Sequence, residues 1–281
     1  MNARYLPYIL ILPVTLFLCF FFLYPFVLVA QQAFTIGDGF TMANFQKVTS
    51  HWKFPISLQN TLLLAAAVVP VQLALALLMA SMVSKMKKGR DLVLYIWTIP
   101  LGISDLAAGI IWLAIFEQSG FLNSMMSGLG VIDRPANLLS YQNPGLVFLA
   151  IALAEIWRAT AIMLVILVAG IGLIPKEYYE AAEVFGASPW KRFLKITLPL
   201  LRPSLSTALV IRVILAFEVF AVVQAIGGTL FPVLMSETFN YQFELLNGGA
   251  AAAIALIILV ISIAFTVLIL RLLRVPKGAT I

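Results

Sequence analysis

The sequence predicts an all-α polytopic membrane protein. It has six transmembrane helices, both termini cytoplasmic, and a cytoplasmic helix–turn–helix between spans four and five. Three observations predict this. The 281 residues are 62% hydrophobic and only 11% charged, with a mean hydropathy of +1.04, against roughly 45–50% and about 25% for soluble domains. Six apolar runs reach the roughly 20 residues that a helix needs to cross a hydrocarbon core. Lysine and arginine gather on one side of those runs.

The first run, Ile9–Ala30, is longer than a signal-peptide core and has no small-residue cleavage site. It passes through the bulky Leu23-Tyr24-Pro25-Phe26 and reads as a retained span. The others are Leu58–Val83, Leu92–Phe116, Leu146–Ile171, Ser204–Ile226 and Ala250–Leu273. With the N terminus inside, the inner segments hold Arg4, Lys85, Lys87, Lys88 and Arg90, then Lys176, Lys191, Arg192, Lys195 and Arg202, and finally Arg271, Arg274 and Lys277. That is thirteen of the eighteen basic residues. Three lie outside (Lys47, Lys53, Arg134) and two within spans (Arg158, Arg212). The positive-inside rule therefore places both termini in the cytoplasm. The +6 net charge follows from this asymmetry and calls for no nucleic-acid partner, since no basic patch is interleaved with stacking aromatics. No repeat of 20–50 residues is visible, and residues 1–281 read as a single transmembrane domain.

Composition also limits the chemistry. One cysteine (Cys19) and one histidine (His51) exclude a disulfide framework and a Cys/His metal cluster within the chain. A zinc protease needs a His-Glu-x-x-His pair that a single histidine cannot supply. His51 lies in an external loop, away from any membrane serine it would have to activate. An aspartate dyad is absent, Asp105 being alone. No stretch matches Gly-x4-Gly-Lys-Ser/Thr, so the chain has no phosphate-binding loop. No catalytic residue, metal ligand or cofactor is expected in this chain.

The sizeable inner segment, residues 172–203, reads GLIPKEYYEAAEVFGASPWKRFLKITLPLLRP. Pro175 suits the first turn of a helix. Glu177, Glu180 and Glu183 follow, favoured by the positive end of the helix dipole. Gly186 can end that helix in a left-handed conformation. Ser188 then serves as N-cap, with Pro189 at the first helical position. Lys191, Arg192 and Lys195 fall in this second helix, whose continuation Pro199 limits. From charge alone, this is a solvated hairpin held near anionic headgroups by its basic half.

The spacing carries more. Glu180-Ala181-Ala182, three residues, Gly186, nine residues, then Ile196-x-Leu198-Pro199 resembles the EAA loop of ATP-binding-cassette importer membrane subunits. The resemblance implies that the loop docks into a cleft on a cytoplasmic ATPase. The contact would centre on Glu180, Ala181, Ala182 and Gly186, with Ile196, Leu198 and Pro199 closing the motif. The stretches Leu6-Pro7-Tyr8 to Leu12-Pro13 and Phe22-Leu23-Tyr24-Pro25 resemble the first span of maltose-type sugar permeases. Phe45, Asn60-Thr61, Trp157-Arg158, Ile174-Pro175-Lys176-Glu177 and Arg212 extend the likeness along the chain. The second type of subunit in such pairs carries Trp-Asn-x-Phe-x-x-Pro after the loop. This chain lacks it and resembles the first type. Gly227-Gly228-Thr229 departs from the usual Gly-Gly-Pro. The resemblance implies a prokaryotic inner-membrane sugar permease with four kinds of partner: a second permease subunit, an ATPase dimer holding ATP and magnesium, an extracytoplasmic sugar-binding protein, and the sugar.

Ionisable residues inside a span cost about 2.5–3.5 kcal/mol each on insertion scales and ask for a reason. Asp105 falls near the middle of span three, Glu155 and Arg158 near the middle of span four, and Arg212 and Glu218 in span five. Glu155 and Arg158 can meet on one helix face. Arg212 and Glu218, six residues apart, point to faces roughly 120° apart. One reading sets these residues around a polar sugar pathway, with Trp157 offering an apolar face to the ring. The plainer reading makes Glu155–Arg158 a structural ion pair and bonds the others to neighbouring helices. A rival class, a proton-coupled secondary transporter, would use Asp105 or Glu155 as the proton carrier. It leaves the EAA loop without a purpose, and no inverted repeat is visible.

Overall fold

A computed structural model describes residues 6–37 and 39–274. Arg4 and Lys277 of the charge count lie outside the described residues. The chain opens with α1 (Leu6–Leu18), a π-turn (Cys19–Leu23) and α2 (Tyr24–Ala33). The wide turn has a local cause. Pro25 has no N–H for the next helical bond and its ring crowds the carbonyl four residues back. The chain relaxes by letting the Tyr24 N–H reach the Cys19 carbonyl instead. A two-stranded hairpin follows, β1 (Thr35–Ile36) with β2 (Gly39–Phe40), pairing Thr35 with Phe40 and Ile36 with Gly39.

Next come α3 (Ala43–Thr49), the 31-residue α4 (Lys53–Val83) and α5 (Arg90–Thr98). After a 3-10 turn at Ile99–Gly102 stand α6 (Asp105–Phe116), α7 (Phe121–Gly128) and α8 (Pro144–Gly172). The hairpin segment supplies α9 (Lys176–Val184) and α10 (Pro189–Arg192). A second π-turn, Phe193–Thr197, leads into α11 (Leu198–Leu200). The chain ends with α12 (Arg202–Phe217), α13 (Ala221–Ile226), α14 (Leu234–Phe239) and α15 (Gly248–Leu272). Among the described residues, five stretches are long and apolar enough to cross a membrane: Tyr8–Ala33, Lys53–Val83, Asp105–Gly128, Pro144–Gly172 and Gly248–Leu272. Pro189–Leu200 and Arg202–Phe217 qualify only as a pair, bent by 69°, which allows up to six.

Two expected spans depart from a single helix. The run Leu92–Phe116 breaks at Ile103 and Ser104, both extended. Pro100 cannot donate to the preceding turn, and Ser104 starts a new helix by accepting the Ala107 N–H at 3.2 Å. Asp105 is thus the first residue of α6, about half exposed, and not the middle of a continuous helix. The run Ser204–Ile226 stops at Phe217 and resumes at Ala221. No proline or glycine sits at that break. Tertiary packing holds α13 instead: a Cβ on Gly109 of α6 would lie 2.7 Å from Ala225 Cβ and 3.1 Å from Val222 Cα.

The described residues group into two compact units. One comprises those up to Pro55 together with Leu234–Leu259; the other comprises Ile56–Val233 with those from Val260. In the first, Ala33, Ala252 and Ala253 form a small core with Phe34, Phe45 and Leu256. Buried Asn44 donates to the Ala33 and Thr35 carbonyls, both at 3.1 Å, and so closes the turn into the β-hairpin. The apolar side chains of Tyr8–Val29 remain largely exposed, as suits a helix whose solvent is lipid.

In the second unit α8 is the central rod. Val147, Ala150, Ile151 and Ala154 build one core with Val222, Val223 and Val233, while Met163, Leu164 and Leu167 build another with Leu201, Leu205 and Ala208. Small residues let the helices close up, as packing in lipid requires. A Cβ on Gly170 would stand 2.2 Å from Ser204 Oγ of α12.

Candidate functional site

Two features of the second unit concentrate chemistry. The first is a charge cluster at the middle of α8. Glu155 and Arg212 are sealed from solvent, and Arg212 Nη2 donates to Glu155 Oε2 at 2.8 Å. The other oxygen of Glu155 accepts from Arg158 Nη2 at 3.4 Å, one turn along the same helix. Arg158 Nη1 then meets Asp105 Oδ1 at 2.8 Å, at the start of α6. Two carboxylates and two guanidiniums thus alternate across three helices with no net charge. Such pairing is what makes buried charge tolerable.

Gln72 of α4 completes the cluster. Its amide donates to the Glu155 backbone carbonyl at 2.7 Å, and its carbonyl accepts from Arg212 Nε. Sequence alone does not mark Gln72 as a member of this cluster. The available signal was a lone amide inside a long apolar run, between Val71 and Leu73. Two buried nitrogens of the cluster, Arg212 Nη1 and Arg158 Nε, have no partner among the described residues. They leave donor capacity for water or a hydroxyl.

The structure brings Asp105, Glu155, Arg158 and Arg212 together, but Glu218 stays apart. That residue lies exposed in the break between α12 and α13. Trp157 is about one-third exposed, and its ring packs on Trp112 of α6 with centroids 6.3 Å apart. Trp112 in turn stacks on Phe116. Two further polar residues of the expected spans, Asn60 and Gln224, are weaker pathway candidates by sequence: Asn60 donates to the Pro232 carbonyl at 2.9 Å, and Gln224 is exposed.

The second feature is the hairpin. Gly186 stands at φ +69°, and its N–H bonds the Glu183 carbonyl while the Ala187 N–H reaches the Ala182 carbonyl. This pair of bonds is a Schellman cap. Ser188 Oγ accepts the Lys191 N–H at 3.3 Å and starts α10, with Pro189 behind it. Arg192 pairs with Glu183 at 3.2 Å, and the Tyr179 and Thr197 hydroxyls bond at 3.1 Å, so the acidic and basic arms are tied together. Pro199 does not stop the second arm, contrary to expectation. The π-turn before it lets the Leu198 N–H reach the Phe193 carbonyl, the helix runs on to Leu200, and the bend comes at Leu201.

The motif divides by exposure. Glu180, Ala181 and Gly186 are open to solvent, and beside them stand Val184, Phe185 (88% exposed) and Trp190. Ile196, Leu198 and Pro199 are half-buried, with Leu198 packed on the Leu201–Leu205 core.

The family model described as "Binding-protein-dependent transport system inner membrane component" matches residues 72–274. The chain is 33% identical over 236 residues to the trehalose/maltose transport system permease protein MalF of Thermococcus litoralis, covering 82% of this chain and 78% of that protein. It is 30% identical over 276 residues to the sn-glycerol-3-phosphate transport system permease protein UgpA of Agrobacterium fabrum, covering 94% and 92%. In fold it matches a chain of a bacterial alginate ABC transporter, solved in complex with an alginate pentasaccharide-bound periplasmic protein. The TM-score is 0.81 at 23% identity, covering 100% of this chain and 98% of that one.

Proposed function

The chain belongs to the inner membrane components of binding-protein-dependent transport systems, and from that membership we propose its place in a sugar importer. It is the permease subunit of an ATP-binding-cassette importer of the maltose type, the first-type member of a permease pair. It carries a sugar, in our reading a di- or oligosaccharide, across the cytoplasmic membrane by alternating access. Energy comes from ATP hydrolysis on a separate ATPase dimer that holds the nucleotide and magnesium. This chain performs transport and no catalysis of its own. Relatives at 30% identity or more named for trehalose/maltose and sn-glycerol-3-phosphate transport support the reading.

In this scheme the chain spans the membrane six times with both termini inside, and α12 with α13, after the bend at Leu201, supplies the fifth crossing. A loaded binding protein docks on the external loops. ATPase closure pushes on the hairpin at Glu180, Ala181, Ala182 and Gly186. Ile196, Leu198 and Pro199 pass the push to α12 and α8. Asp105, Glu155, Trp157, Arg158 and Arg212 frame the sugar's path. Glu218 joins them only if α12 and α13 rearrange.

The observation that carries this reading is the hairpin: a capped, cross-tied elbow that exposes Val184, Phe185 and Trp190 at its tip. A free hairpin has no reason to present three large apolar side chains to water, whereas one that seats in a cleft does. A proton carrier fits less well, because both carboxylates it would use are held by arginines. Reconstitution tests the proposal. Sugar uptake into vesicles holding both permease subunits should require the ATPase and ATP, and should persist when ion gradients are collapsed. Uptake driven by a proton gradient with no ATPase present would replace it with the secondary transporter.

A further inference from the structure

At the hairpin end of the second unit a groove of about 360 Å³ opens over the Leu201–Leu205 core. Its walls are Leu73 and Leu77 of α4, Leu198 and Pro199 beyond the π-turn, Leu205 of α12, and Leu273 just past α15. A sugar would find almost no hydrogen-bond partner there. Arg202 is the charged residue that lines it, exposed to solvent and without an ion pair among the described residues. Lys195 and Arg274, both exposed, follow the lining residues Leu194 and Leu273 in sequence. No Asp or Glu occurs in Lys53–Val83, in Trp190–Phe217 or in Gly248–Arg274, the segments that supply the groove.

We infer that this groove is a binding site for one anionic phospholipid of the cytoplasmic leaflet, its acyl chain on the leucine wall and its phosphate on Arg202. An apolar trough lined by one exposed cation, unpaired among the described residues, matches the two halves of such a lipid. Basic pockets between helices at the cytoplasmic face are where anionic headgroups settle. The lipid would touch both arms of the 69° bend and brace the joint between hairpin and span. The inference rests on the proposed function only for its orientation, which puts Arg202 at the inner surface.

Lipid retention tests it on the assembled importer, by native mass spectrometry from micelles supplemented with phosphatidylglycerol or phosphatidylcholine of identical chains. Phosphatidylglycerol should be retained about fivefold more strongly, the size expected for one cation near a headgroup. Arg202→Gln should bring the two lipids level. Leu209→Trp, which puts a larger side chain on a lining residue of the groove, should lower the retention of both. Equal retention in the native protein, no retained lipid, or a preference that survives Arg202→Gln would each overturn the site. Uptake is not the readout, so a chain that holds the lipid yet moves no sugar separates failure of the functional reading from failure of this one.

Discussion

Glu155 and Arg212 meet at 2.8 Å from two different helices, with both side chains cut off from solvent. Each is also held by a second group: Glu155 by Arg158, Arg212 by Gln72. Removing Arg212 leaves the buried cluster with a net negative charge and Glu155 with only the longer 3.4 Å contact to Arg158, at a cost of up to about 3–5 kcal/mol, while replacing both members by apolar groups can be nearly neutral. Arg212→Met should therefore destabilise the purified protein more than the double variant with Glu155→Leu. Thermal unfolding in one detergent, with the single and double variants side by side, measures the difference.

Asp105 sits at the exposed end of the same chain of charges, about half open. With Arg158 only 14% exposed, the pair lies between a surface pair at about 0–1 kcal/mol and a buried one at about 3–5 kcal/mol. Asp105→Asn, which keeps an acceptor for Arg158, should destabilise less than Arg212→Met, and as a residue framing the sugar path it should alter uptake. A large loss of stability with normal uptake would make Asp105 a structural residue.

Gly186 needs its conformation and not its space, because a Cβ there would meet nothing within 4 Å while φ is +69°. Gly186→Ala should cost about 1–2 kcal/mol of local left-handed strain and Gly186→Asn less. Gly186→Pro, whose ring fixes φ near −65°, should abolish transport and coupled ATP hydrolysis with the protein still inserted. Uptake and ATPase assays on the three variants give the order.

Gly170 is the opposite case. Its φ is ordinary, but a Cβ would strike Ser204 Oγ at 2.2 Å. Gly170→Ala should destabilise by about 1–3 kcal/mol, as overpacking does, and Ser204→Gly should recover part of it. Unfolding midpoints of the single and double variants check the coupling.

Residue type alone carries some of this architecture. Both π-turns that precede a proline, Cys19–Leu23 before Pro25 and Phe193–Thr197 before Pro199, have the same cause and the same register. The hairpin was legible because its signals are local: a glycine at the cap, Ser188-Pro189 at the restart, and acids before bases. Hydropathy, by contrast, averages over Pro100 and Ser104 and so merged α5 and α6 into one run. The α12–α13 break has no local breaker, because it rests on Gly109 accepting Ala225 from another helix. The Glu155–Arg158 pair followed from spacing along one helix. The stronger bond to Arg212 links residues 57 apart in the chain, and only packing could reveal it. Gln72 was missed for the same reason.

In the proposed function, motion generated by a nucleotide-hydrolysing partner enters through the exposed tip of the hairpin. The direct measurement is thiol crosslinking of Phe185→Cys, in a Cys19→Ser background, within the assembled importer. A crosslink is expected to a cysteine in the cleft of the ATPase subunit, with a yield that changes with nucleotide, and none from a control cysteine at exposed Tyr141. Labelling of Phe185→Cys by a membrane-impermeant thiol reagent from outside the cell, or no capture on the ATPase in any nucleotide state, would contradict it.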